Sequence, residues 1–263
     1  MFKPVPGQAG NNGLVKIAEH LDALRREGEL MAAAADRAGL AATVPSCPAW
    51  QVKDLLRHTG YVHRWAARHI TEGPAEVIDG PSEAEILRGG AADADLLGWF
   101  RAGHAALVET LASADPAVAC ATFMAAPSPL AFWTRRQAHE TAIHRADAEL
   151  AAGPVDGSAP RYPADFAADG IDELIMGFGQ RRKYQPSAGP GADAGLLRVI
   201  AADTGDAWSI GDGSDAGCTV SAPASSLYLY LWNRASAGAA DITVTGDPAL
   251  LASWQSSVRI RWS

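Results

Sequence analysis

The residues best suited to chemistry lie in one run, His139-Glu140-Thr141-Ala142-Ile143-His144-Arg145-Ala146-Asp147. On a helix, positions four apart share a face with Cβ atoms ~5–6 Å apart. Glu140 and His144 have that spacing, so a carboxylate and an imidazole can reach one ion from a rigid support, as two helical histidines do around zinc. His139 lies ~140° around the helix from His144 and is the poorer partner. A third donor has to come from another element. His58 sits among Leu55, Leu56 and Tyr61, on or beside an inward helix face. His63, about one and a half turns further on, is directed elsewhere. Three ligands, His58, Glu140 and His144, would leave one position open for water or substrate, the arrangement of a catalytic site.

Spacing alone leaves other readings open. A Glu and a His four apart more often pair on a helix surface, and a lone His58 is more often a hydrogen-bonded core residue. The run also has one residue too many for the zinc-protease pattern HExxH. Asp147, three residues beyond His144, can accept a proton from an imidazole or pair with Arg136 or Arg145. Trp50 and Trp133 are candidates to wall the site, although aromatics at such positions are mostly core. Cys47, Cys120 and Cys218 lie in a Pro-bounded turn, an Ala-rich stretch and a strand, which are packing positions rather than nucleophile positions.

The elements that must position these groups are legible from periodicity. Helices are expected over about 14–38, closed by Gly39; from Trp50 to about Ile70, closed by Gly73-Pro74; over roughly 82–111, interrupted at Gly89-Gly90; and from about Leu130 to Ala152, stopped by Gly153-Pro154. Val44–Trp50 reads as a loop stiffened by two prolines. Four long helices suggest an up-down bundle. Gly153 to Pro163 reads as a linker. Beyond it a helix is expected over 165–183, strands over 196–202, 207–210, 218–222, 241–245 and 258–262, and helices over 225–234 and 248–256. The expected fold class is α+β: a helical domain over 13–153 and a small α+β domain over 163–263.

Bulk properties exclude several functions. The chain has 263 residues, and 22 Lys and Arg against 30 Asp and Glu give a formal charge of -8. Without a basic block, nucleic acid is a poor partner; the densest basic run, Arg181-Arg182-Lys183, reads as a solvated helix end. No run of ~18 apolar residues offers a membrane span, and the N-terminus lacks the apolar region of a signal peptide. Three widely separated cysteines fit a reducing cytoplasm. A monomer or a homodimer would suit a chain of this size.

The run Val44-Pro45-Ser46-Cys47-Pro48-Ala49-Trp50-Gln51-Val52-Lys53-Asp54-Leu55-Leu56-Arg57-His58 resembles the opening of the second helix in the mycothiol-dependent maleylpyruvate isomerase family of the DinB-like superfamily, a broad actinobacterial group. Arg135 to Asp147 resembles that family's fourth-helix signature. Leu227–Arg234 and Asp241 to Asp247 resemble its sterol-carrier-like second domain. The resemblance implies zinc or another divalent metal on His58, Glu140 and His144. It also implies mycothiol as cosubstrate, and a thiol-holding arginine that falls on Arg234 in Leu231-Trp232-Asn233-Arg234, making the site a cleft between domains. The expected activity is addition of a metal-activated thiol to an electrophilic small molecule, by an isomerase of maleylpyruvate type or a thiol S-transferase. Arg234 and Asp147 would assist catalysis. The alternatives are a metal-dependent hydrolase using activated water and a non-catalytic DinB-like binding module.

Overall fold

A computed structural model describes residues 17–153, 160–179, 195–211, 215–236 and 241–257. The first residues of the helix expected over 14–38, up to residue 16, linker residues 154–159, the basic run at 181–183 and the last strand at 258–262 lie outside the described residues. The chain divides into two compact units, with the division between Pro160 and Arg161.

The first unit is helical. Helix α1 (Ile17–Ala38) buries Leu21, Leu24, Met31 and Ala35 on one stripe. It ends at Gly39, whose φ of +78° is the left-handed geometry that glycine adopts without a Cβ penalty. The expected loop that follows is instead a small hairpin of β1 (Thr43–Val44) and β2 (Cys47–Gln51). Pro45 and Ser46 form its two-residue turn, where the fixed φ of proline suits a chain reversal. Helix α2 (Val52–Glu72) starts where Asp54 accepts the Gln51 amide at 2.9 Å. The third helical segment divides at Gly89-Gly90 into α3 (Glu83–Arg88) and α4 (Leu96–Ser113), the latter entered through a 3-10 turn at Asp93–Asp95. Helix α5 (Pro129–Ala152) opens on Ser128, which caps the Ala131 amide, with Pro129 at the first helical position.

Helices α1 and α2 each pack on both α4 and α5, so α1 faces α2 across the bundle and α4 faces α5. In a simple up-and-down meander, consecutive helices are neighbours. Here the first and last connections cross the bundle. They can do so because both are more than tight turns: one contains the hairpin, the other spans residues 114–128. Met31, Leu55, Leu56, Leu96 and Phe100 form one core with Val44 of the hairpin.

The second unit begins with α6 (Ala164–Asp172), which continues as a π-helical stretch over Glu173–Gly179. Four strands follow, β3 (Leu196–Ala201), β4 (Ala207–Ile210), β5 (Ala216–Ala222) and β6 (Thr243–Gly246), in the order β4-β3-β5-β6. The β3–β5 pair is parallel; the other two pairs are antiparallel. Alternation buries Leu197, Val199 and Ala201 of β3 and Cys218, Val220 and Ala222 of β5. Helices α7 (Ala224–Leu231) and α8 (Pro248–Ser257) pack against the strands. Among the described residues, no helix is long and apolar enough to cross a membrane.

The bundle relies on one close approach. A Cβ on Gly28 of α1 would lie 2.2 Å from Nε2 of the buried His104 ring, which is itself held to the Leu24 carbonyl at 2.9 Å. Gly28→Ala should therefore destabilise the protein by ~1–3 kcal/mol, despite the ~1 kcal/mol that alanine gains in helix propensity. Urea denaturation measures this; an unchanged or raised midpoint would show that α1 and α4 can separate freely.

Candidate metal centre

Helix α5 is buried along its whole middle, from Arg136 to Ala148, although that stretch carries His139, Glu140, His144, Arg145 and Asp147. Buried polar groups are costly unless they are paired, and on α5 the pairing produces a site. Glu140 Oε1 lies 3.2 Å from His144 Nε2, one turn along α5, and 3.3 Å from His58 Nε2 on α2. The candidate ligand atoms of these three buried residues all lie within 4.8 Å of one another. With metal–nitrogen and metal–oxygen bonds of ~2.0–2.2 Å, neighbouring donors of a tetrahedral ion stand roughly 3.3 Å apart. The two separations made by Glu140 have that length, so this donor set is compatible with a small divalent ion.

The candidate ligand atoms are oriented from behind. Arg136, one turn before Glu140, holds Oε2 of that carboxylate, which leaves Oε1 turned to the imidazoles. His144 Nδ1 donates to Asp147 Oδ2 at 2.9 Å, and the Ser46 hydroxyl donates to Asp147 Oδ1. Arg145 binds Glu27 at 3.2 Å and Glu149 at 2.8 Å. Trp50, at the end of β2, lies with its ring 5.0 Å from that of His58 and 6.5 Å from that of His144. Its indole N–H is fixed by Glu83 at 3.0 Å.

Other expected groups lie elsewhere. Trp133 does not wall the site: it packs on Trp65 and His69, and its N–H donates to the Ala121 carbonyl, because its position on α5 turns it into that aromatic cluster. His63 is buried between Phe100 and His104 and meets the Thr141 hydroxyl at 2.9 Å. The His139 ring faces that of His20 on α1, at 5.8 Å. In the second unit, Arg234 follows α7 just after Asn233, whose φ is +63°, and its guanidinium donates to the Trp232 carbonyl at 2.7 Å. Sequence reasoning missed Ser46 and the clamp of Arg136 on Glu140. The clamp had a readable signal, the four-residue spacing; Ser46, 101 residues from Asp147, had none.

The electrostatics separate the two histidines. Burial pushes the pKa of His58 down, only partly offset by Glu140. Burial also opposes charge on His144, but its hydrogen bonds to Asp147 and Glu140 prevail and push its pKa up to about 9. Glu140 resists the upward pressure of burial, because Arg136 and His144 hold it well below the usual carboxylate range.

Two family models match this chain: the mycothiol maleylpyruvate isomerase N-terminal domain over residues 21–149, and the C-terminal domain of the same family over residues 165–253. The chain belongs to the mycothiol-dependent maleylpyruvate isomerase family. Two solved structures have the same fold: a mycothiol-dependent maleylpyruvate isomerase, with a TM-score of 0.63 and 15% identity, covering 88% of this chain and 93% of that one, and a histidine-to-alanine mutant of such an isomerase, with a TM-score of 0.64 and 15% identity, covering 87% and 93%. No curated protein matches the chain. The α+β architecture and the family are thus those expected from the two sequence signatures.

The raised His144 pKa sets a pH dependence. Near neutral pH, His144 carries a proton on Nε2 that an incoming ion must displace, whereas Glu140 is already ionised and His58 already neutral. Metal affinity of the metal-free protein should therefore rise by roughly tenfold per pH unit through neutrality and level off as the pH passes about 9. Chelator-competition titrations at several pH values measure the slope; a flat profile through neutrality would contradict the assignment of that proton.

Proposed function

We propose that this family member is a thiol-dependent metalloenzyme of the maleylpyruvate isomerase type, with mycothiol as its thiol and one divalent ion, zinc by the chemistry of the donors, on His58, Glu140 and His144. The observation that carries this reading is the convergence of two imidazole nitrogens on one carboxylate oxygen, buried and at 3.2 and 3.3 Å, separations that a small divalent ion could bridge. Three protein donors leave the vacancy that a catalytic site requires.

When bound, the ion supplies the positive charge that lets a small thiol react as its thiolate at neutral pH. The side chains do the rest. Arg136 restrains Glu140 to one oxygen, Asp147 holds His144 in the tautomer whose Nε2 faces the centre, and the Trp50 ring shields the two imidazoles on one side. In this reading Arg234 binds polar groups of the thiol through its forked guanidinium. The thiolate adds to one carbon of an activated cis double bond, the remaining single bond rotates, and expulsion of thiolate restores the double bond as trans. The thiol is regenerated. In an S-transferase the same addition would stop at the thioether. Separated cysteines and the small-molecule chemistry support a cytoplasmic setting.

The test is to assay zinc-loaded protein with maleylpyruvate, with and without mycothiol. The expected result is isomerisation that requires the thiol without consuming it, and loss of at least ~100-fold in His144→Ala along with its metal. Turnover without any thiol would favour activation of water instead. Accumulating thioether would mark a transferase. A metal content below about 0.2 per chain in protein never exposed to chelator would count against both. Arg234→Ala should raise the KM for mycothiol by ~10-fold or more with the metal retained; an unchanged KM would remove Arg234 from the thiol site.

A further inference from the structure

The geometry points to Ser46 as a positioning residue that locks His144 for metal binding through Asp147, a role that rests on the metal assignment above. Asp147 is fully buried, and its two carboxylate oxygens are taken separately: Oδ2 by His144 Nδ1 at 2.9 Å and Oδ1 by the Ser46 hydroxyl. A carboxylate can only accept, so both the hydroxyl and Nδ1 must donate. The proton on Nδ1 leaves Nε2 as the nitrogen that faces Glu140 Oε1 and the shared ligand point.

The final torsion of an aspartate is broad and roughly two-fold, so each grip on its oxygens limits how far the carboxylate, and the imidazole bonded to it, can turn. The second grip, from Ser46, restrains the carboxylate plane and through it the azimuth of the His144 ring. Productive geometry in such sites tolerates only ~0.5 Å of drift.

Ser46 is well placed for this task. It is half of the two-residue turn between β1 and β2, whose pairing sets Val44 opposite Cys47 and Thr43 opposite Gln51. Val44 is buried in the same core cluster as Ala148, the residue after Asp147. The Val52 amide, at the start of α2, bonds the Ala42 carbonyl at 2.9 Å. The hairpin is thereby tied to α5 and to the start of α2, the two helices that carry the ligands. It also carries Trp50, so one short element contributes both the wall over the imidazoles and the hydroxyl behind them.

The test compares full-length Ser46→Ala, Ser46→Thr and Asp147→Asn with the unsubstituted protein, each freed of metal. Three quantities are measured: zinc affinity against a chromogenic chelator, the visible absorption of the Co²⁺ adduct, and the melting temperature of the metal-free protein. Ser46→Ala should bind zinc ~10-fold more weakly and shift or broaden the Co²⁺ bands. Ser46→Thr, which keeps the hydroxyl, should restore both. In the Asp147→Asn background, Ser46→Ala should add no further loss, because the hydroxyl acts through that carboxylate. Unchanged zinc affinity and Co²⁺ bands in Ser46→Ala would overturn the proposal, even if its melting temperature fell, since that is the signature of a turn residue alone. Failure of Ser46→Thr to restore the bands would also overturn it. If the unsubstituted protein bound neither ion, the metal assignment itself would fall, and this role with it.

Discussion

The site depends on two imidazoles and one carboxylate being brought together inside a helical bundle and kept there. Burial penalises every one of these groups in its charged form, and a buried charge without a partner is strongly destabilising. The chain answers with a line of alternating partners, Arg136, Glu140, His144 and Asp147, at spacings of three and four along one helix. Each group compensates the next, so α5 can be polar and buried at once. The compensation is directional: Arg136 takes the far oxygen of Glu140 and Asp147 takes the far nitrogen of His144, leaving one oxygen and one nitrogen turned towards His58.

Supporting elements follow from that requirement. Helix α2 has to present His58 opposite α5, and its inward face is set by Leu55, Leu56 and Val62. The diagonal placement of α1 against α2 leaves α2 in contact with α5, which a sequential meander would not guarantee. The hairpin before α2 closes the arrangement by tying Ser46 to Asp147. What the fold contributes is preorganisation: Glu140 Oε1 already stands 3.2 Å and 3.3 Å from the two imidazole nitrogens.

Local features were the most legible in the sequence. The Glu140–His144 pair followed from helical spacing, the helix ends from Gly39, Gly73 and Gly153, and the second-unit strands from their alternation. Trp133 and the hairpin were misread for physical reasons. Trp133 was assigned by type, whereas its direction is set by its angular position on α5. Val44–Trp50 was read as irregular because of its prolines, but Pro45 occupies a turn position and Pro48 lies in a two-stranded ribbon that asks little of its backbone amide. Tertiary adjacency was legible only in part. His58 meets Glu140 across 82 residues and Ser46 meets Asp147 across 101; periodicity places a residue on a face but does not say what lies opposite. His58 was the exception: its place among Leu55, Leu56 and Tyr61 on an inward helix face made it the third donor, and the family resemblance fell on the same residue.

The most direct test of the central claim is zinc K-edge X-ray absorption of the loaded protein before and after addition of mycothiol. The account predicts a first shell of nitrogen and oxygen at ~2.0–2.2 Å with the outer-shell scattering of two imidazoles, then one sulfur at ~2.3 Å once thiol is present. A shell with no imidazole scattering, one containing protein sulfur before any thiol is added, or one that does not change on adding mycothiol would contradict it.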